Sequence, residues 1–133
     1  MLRTLDTNIC SYVLRRRPVA MLERFAGLNR QQVWLSGIVA AELRFGAVKL
    51  GVPRFSSAVE AWLAGFDVQA WPVQATEHYA HIRAKLERAG TRIGAMDLLI
   101  AAHALANDSV LVTNNAKEFR RVPGLAVEEW SLE

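Results

Sequence analysis

Two rhythms of apolar and polar positions divide the chain. Short apolar runs at residues 2–6, 32–36, 67–71, 110–113 and 126–128 are bounded by turn-forming residues and read as strands. Longer stretches lie between them, with apolar residues three and four apart. These read as helices over 9–14, 19–28, 38–50, 55–63, 75–89 and 94–107, while Glu118 and Phe119 fall in a short turn or helix.

The punctuation agrees with this division. Thr7 and Asn8 offer N-cap oxygens for the first helix, and Pro18 breaks it by forcing the preceding residue out of helical geometry. Gly51-Val52-Pro53 stops the helix over 38–50, and Gly90 stands where a left-handed cap belongs after 75–89. In that latter helix Tyr79, Ile82, Leu86 and Ala89 share one face. The run from Ala95 to Leu105 is apolar nearly all round, which marks a buried helix. Strands alternate with helices, and no hairpin signal joins two strands directly. The expected fold is therefore α/β with a mostly parallel central sheet, in one domain spanning 1–133.

Composition narrows the setting. An apolar fraction of 52 % and a charged fraction of 22 % suit a folded chain with a real core. The one cysteine, Cys10, closes no internal disulfide, no apolar run reaches the roughly 18 residues of a membrane span, and the opening segment is too short for a signal peptide. The cytoplasm is the expected compartment. A formal charge of +3 leans toward polyanionic partners, but carries weight only beside a site that acts on phosphates.

Ligands of open α/β sheets bind outside the carboxyl ends of the strands. Asp6 closes the first strand, Glu42 follows the second, Asp97 opens the buried helix, and Glu118 follows the strand over 110–113 after Asn114 and Asn115. Each has an ordinary alternative: Asp6 as a helix cap, Glu42 and Glu118 as surface charges, Asp97 as a complement to the helix dipole. Asp97 is the telling one, because a carboxylate leading an apolar helix is partly buried and needs a partner or a cation. If Asp6, Glu42 and Asp97 converge, their repulsion calls for a divalent ion, and all-oxygen ligands select Mg²⁺ or Mn²⁺. His78 and His81, three apart on one helix with no third ligand, read as surface residues, and His103 reads as a hydrogen-bonded core residue.

These motifs together resemble the PIN-domain ribonucleases, and more closely the VapC-type toxins of bacterial toxin–antitoxin pairs. The likeness covers essentially the whole chain. It is carried by Leu5-Asp6-Thr7-Asn8, by Ser36 through Ala41-Glu42-Leu43 with Gly46, by Gly94-Ala95-Met96-Asp97 running into Leu98-Leu99-Ile100-Ala101, by Val112-Thr113-Asn114-Asn115 with Glu118-Phe119, and by Arg121-Val122-Pro123-Gly124-Leu125. The resemblance implies a PIN-like, Rossmann-like α/β/α sandwich with metal ligation by Asp6, Glu42 and Asp97 and a small hydroxyl, Thr7 or Ser36, nearby. Many PIN domains carry a further aspartate after the fourth strand. Here Thr113 is followed by Asn114 and Asn115, and Glu118 is the acid placed to substitute.

The expected activity is metal-dependent hydrolysis of RNA phosphodiesters, with a structured RNA such as a tRNA anticodon region as the leading target. Arg15, Arg16, Arg17, Lys49, Lys117 and Arg120 are the candidate phosphate contacts, about half of them expected to be ordinary surface charges. The resemblance further implies a homodimer neutralised by a VapB-type antitoxin, with promoter DNA bound only through that partner. Val48, Leu50 and Trp62 exceed the needs of one helix face and are assigned either to such a contact or to the core. A PIN-fold nuclease acting on DNA or in RNA maturation and a catalytically silent RNA-binding module are the alternatives. Retention of three mutually repelling acids argues against the latter.

Overall fold

The computed structural model describes residues 1–132. Five strands form where the apolar runs predict them: β1 (Arg3–Leu5), β2 (Val33–Ser36), β3 (Asp67–Gln69), β4 (Val110–Thr113) and β5 (Val127–Glu129). The helices are α1 (Thr7–Arg15), α2 (Val19–Ala26), α3 (Gly37–Leu50), α4 (Pro53–Leu63), α5 (Ala75–Ala89), α6 (Ala95–Ala106) and the single turn α7 (Ala116–Phe119).

The strands make one parallel sheet in the order β3-β2-β1-β4-β5. Successive residues of a strand point to opposite faces, and all four residues of β2 are buried. Both faces of the sheet centre are therefore covered, as a parallel sheet requires. The core joins Leu5, Leu35, Leu111 and Val112 of the strands to Ile9 of α1, Val39 of α3, Val59 of α4 and Ile100 of α6.

Topology selects one place on this sheet. The chain steps outward from β1 to β2 to β3, then returns to lay β4 on the other side of β1. The connections leaving β1 and β4 diverge and open a crevice at their carboxyl ends, where ligands of such sheets bind.

Several boundaries differ from expectation for identifiable reasons. The cap of α1 is Asp6 itself, accepting from Ile9 N at 2.9 Å, so the helix begins at Thr7 rather than after it. Arg16 closes that helix in a left-handed conformation, φ 61°, before Pro18. Pro53 starts α4 rather than merely ending α3, because its missing N–H costs nothing at the first helical position. Gly37 opens α3 so close to β3 that a Cβ there would stand 3.2 Å from the Gln69 carbonyl oxygen. The α5 face is buried at Ile82 and Leu86, while Ala89 reaches solvent. As expected, α6 is buried through most of its length, with Ala95 and Met96 of its first turn exposed.

Candidate active site

Asp6, Glu42 and Asp97, far apart in sequence, line one cavity of about 210 Å³ together with Thr7, Asn8, Asn115 and Phe119. It lies at the β1–β4 crevice. Each acid arrives by a local rule. Asp6 follows β1 and caps α1. Glu42 stands in the second turn of α3, whose start is fixed by the Ser36 hydroxyl accepting from Ile38 N at 3.1 Å. Asp97 occupies the first turn of α6. The positive ends of α1 and α6 thus face their own carboxylates, each worth roughly 0.3–1 kcal/mol.

The acids are held by donors rather than by cations. Asp6 is only 3 % exposed; besides the Ile9 amide, its Oδ2 accepts from the Thr113 hydroxyl at 2.5 Å. Thr7 donates its hydroxyl to Glu42 Oε1 at 2.5 Å. Glu118 accepts from Gly94 N at 2.8 Å and from Asn115 Nδ2 at 2.6 Å, and it lies within hydrogen-bond reach of Asp97. A Cβ on Gly94 would stand 3.4 Å from Asp97 Oδ2 and 3.8 Å from Glu118 Oε1, so the two carboxyls crowd the same backbone atom.

This arrangement makes Asp6 and Asp97 weak acids. Burial pushes the Asp6 pKa up to about 6, despite the Thr113 and Ile9 hydrogen bonds that favour its charged form. Burial, then the charge of Glu118 and their shared hydrogen bond, push Asp97 up to about 7, with further help from Asp6 and Glu42. Among the described residues the ion pairs join Arg3 to Glu128, Arg44 to Glu60 and Arg83 to Glu87, and none reaches the cavity. The negative charge gathered there is uncompensated by the protein. An all-oxygen donor set with excess negative charge suits a hard divalent cation. The donors are not closed around a centre, however: no three acidic, histidine or cysteine side chains among the described residues stand in metal-ligating proximity, Glu42 being turned onto Thr7 and Glu118 onto Gly94 and Asn115.

The remaining candidates separate clearly. Thr7, Asn8 and Asn115 line the cavity, and Thr113 supports it through Asp6 and through its bond from Asn115 N at 2.8 Å. Asn114 does not line it; its Oδ1 is buried without a partner. Of the two hydroxyls proposed for the site, Thr7 is there and Ser36 is not. Ser36 is fully buried, spent on capping α3 and on His103 Nδ1 at 2.9 Å. His78 and His81 are exposed and His103 is buried, as expected.

Among the basic candidates, Arg15 and Lys49 flank an adjoining groove of about 410 Å³ that shares Thr7, Asn8 and Glu42 with the acid cavity. Arg16, Arg17, Lys117 and Arg120 are exposed and line neither. Leu14, Leu43, Leu50 and Phe55 form the apolar part of this groove, and the role of Phe55 was not legible in the sequence because α4 reads there as an ordinary amphipathic helix. Val48 and Leu50 are exposed, whereas Trp62 packs on Phe25 and Phe66. A separate cavity lined by Tyr79, Arg83, Arg92 and Ile93 contains one acid, Glu87, already bonded to Arg83 at 2.7 Å.

Comparison with known proteins converges on one family. The PIN domain family model matches residues 3–125. The tRNA(fMet)-specific endonuclease VapC of Shigella flexneri is 40 % identical over 128 residues, covering 96 % of this chain and 96 % of that protein. Among solved structures, DNA-bound VapBC from Salmonella typhimurium superposes with a TM-score of 0.89 at 40 % identity, covering 98 % of this chain and 99 % of that one. VapBC2 from Rickettsia felis, bound to a DNA fragment from its promoter, gives 0.85 at 37 % identity, covering 98 % of this chain and 100 % of that one.

Proposed function

The chain belongs to the PIN-domain family and stands among its VapC ribonucleases, and from that premise we propose that it is the toxin of a toxin–antitoxin pair, a divalent-metal-dependent endoribonuclease. The observation that carries the reading is the convergence of Asp6, Glu42 and Asp97 on one cavity without a neutralising base. Those three side chains would hold Mg²⁺ or Mn²⁺, with Glu118 completing the negative field. When bound, such an ion supplies Lewis acidity to the phosphate and to the water that attacks it.

The chain's own residues do the rest. Thr113 and the Ile9 amide hold Asp6 in one orientation. Thr7 does the same for Glu42. The Gly94 amide and Asn115 hold Glu118 beside Asp97, so a further carboxylate reinforces the negative field at the ion. The groove beside Glu42, with Arg15 and Lys49 on its rim, is suited to an RNA backbone entering toward the acids. Unstacked bases reach such a cleft more readily than paired ones, which favours a loop. The Shigella relative's name makes initiator tRNA the leading substrate, and the preference for unstacked bases makes its anticodon loop the leading position.

The solved VapBC complexes, both bound to DNA, support an antitoxin partner; we propose in addition that the chain is a homodimer, held inactive by that partner and reaching promoter DNA only through it. The exposed Val48 and Leu50 are available for such a contact. No helix among the described residues is long and apolar enough to cross a membrane, and the proposed site of action is cytoplasmic RNA.

The test is cleavage of initiator tRNA, elongator tRNAs and single-stranded DNA by the purified chain, with Mg²⁺, Mn²⁺ or excess chelator. The expected result is one dominant cut in initiator tRNA, abolished by chelator and by Asp97→Asn with circular dichroism unchanged. Undiminished cutting in chelator overturns the metal assignment, and cutting of DNA alone overturns the ribonuclease assignment.

A further inference from the structure

His103 and Ser36 form a buried polar pair that the acid cavity does not use. Both side chains are 0 % exposed, and His103 Nδ1 lies 2.9 Å from Ser36 Oγ. His103 belongs to α6, the helix of Asp97, and Ser36 is the cap of α3, the helix of Glu42. The pair stands six residues from each acid, about 9 Å along each helix at 1.5 Å per residue.

Counting protons orients the bond. Ser36 Oγ already accepts from Ile38 N, and His103 Nε2 is buried without a partner. If the hydroxyl donates to Nδ1, one Nε2–H is left over. The reverse orientation strands the hydroxyl proton and leaves Nε2 bare as well. The favoured chain therefore runs from the Ile38 amide to the Ser36 hydroxyl to Nδ1, with the imidazole as its neutral Nε2–H tautomer. Burial also favours the neutral ring, pushing its pKa down to about 4.

The unpartnered Nε2 is the informative feature. Burying a polar atom without a hydrogen bond is destabilising, and an apolar side chain packed on Trp34, whose ring centre is 4.5 Å away, would avoid that loss. What an apolar residue cannot offer is an acceptor for Ser36. From this we infer that His103 is a positioning residue: its bond to Ser36 fixes the helix carrying Glu42 against the helix carrying Asp97. A small rotation at this tie is carried along two helices to two carboxylates that must converge. The inference rests on the ribonuclease reading above.

The experiment compares wild type, His103→Leu and His103→Asn in RNA cleavage, metal titration and thermal melting. Leucine keeps the apolar volume and removes the acceptor, and asparagine restores an oxygen. For His103→Leu the expected kcat is about tenfold lower, with KM within about twofold, a weaker apparent metal affinity and a Tm close to wild type, because one unpartnered buried hydrogen, on Nε2, is exchanged for another, on Ser36. His103→Asn recovers most of the kcat. Wild-type kcat in His103→Leu overturns the inference, as does a loss that follows Tm and is not recovered by asparagine. Independently of folding variants or activity, ¹⁵N NMR of the wild-type ring is expected to show the neutral Nε2–H tautomer, and the Nδ1–H form overturns the orientation. If wild type itself cuts no RNA, the ribonuclease reading fails instead, and the NMR result still stands on its own.

Discussion

The hydroxyl of Thr113 donates to Oδ2 of Asp6 at 2.5 Å, across 107 positions of sequence, and so joins the carboxyl ends of β4 and β1. The bond leaves Asp6 its second oxygen on the Ile9 amide and fixes the plane of the carboxylate facing the cavity. Thr113→Val removes the donor while keeping the shape. It is expected to lower stability by about 1–3 kcal/mol and kcat by about tenfold to a hundredfold, with Thr113→Ser close to wild type. Denaturant unfolding and single-turnover RNA cleavage measure the two effects.

Removing a charge from the cluster has opposite consequences for activity and for stability. Asp97→Asn relieves repulsion with Glu118, Asp6 and Glu42, so in chelator it is expected to melt at or above the wild-type temperature. Cleavage is expected to fall by at least about a hundredfold. A lower melting temperature in chelator contradicts the picture of an uncompensated acid cluster.

The same cluster sets a pH dependence. Folding raises the pKa of Asp6 to about 6 and of Asp97 to about 7, from unfolded values near 3.9. Between about pH 4 and pH 7 the folded state therefore holds protons that the unfolded chain has released, and metal-free stability declines as pH rises. Mg²⁺ or Mn²⁺ is expected to offset the decline as pH rises toward 7, by binding the ionised folded site. Melting curves across pH, with and without the ion, show whether the slope flattens.

Glu118 carries two bonds that tie the Gly94 turn to α7. Glu118→Gln keeps an oxygen for the Gly94 amide but sets its own NH₂ against that of Asn115. The expected outcome is about tenfold lower activity at limiting metal, largely regained at saturating metal. A metal-concentration dependence identical to wild type in this variant removes Glu118 from the negative field.

Salt dependence tests the groove. Arg15→Ala and Lys49→Ala are each expected to weaken tRNA binding and to reduce the slope of log K against log salt by about one. Arg17→Ala, outside the groove, is expected to leave the slope unchanged. Filter binding by a cleavage-deficient variant between 50 and 200 mM salt, the span in which about 10³–10⁵ of affinity is lost for multiple phosphate contacts, makes the measurement.

The elements were legible because their signals are local. The apolar runs of β2 and β4, the Gly90 cap and the buried helix through Ile100 all announce themselves within a few residues. The three acids were legible because each follows or opens such an element. What the sequence did not carry was partnership across the chain. Nothing near Ser36 says that its hydroxyl turns toward His103 rather than Glu42, and nothing near Arg16 or Arg17 says that these bases face solvent while Arg15 borders the groove. From sequence Pro53 reads as a stop, because proline both ends and begins helices, and which applies depends on what lies on either side.

The strand order has a consequence for synthesis. β1, made first, sits in the middle of the sheet, and its second neighbour is β4. A chain still emerging from the ribosome cannot complete that pairing until Thr113 is out, nor bring Glu118 beside Asp97 until α7 follows. A copy that has not yet reached β4 and α7 therefore holds its acids without the donors that fix Asp6 and Glu118 in place, and the cluster is completed only after four of the five strands have been made.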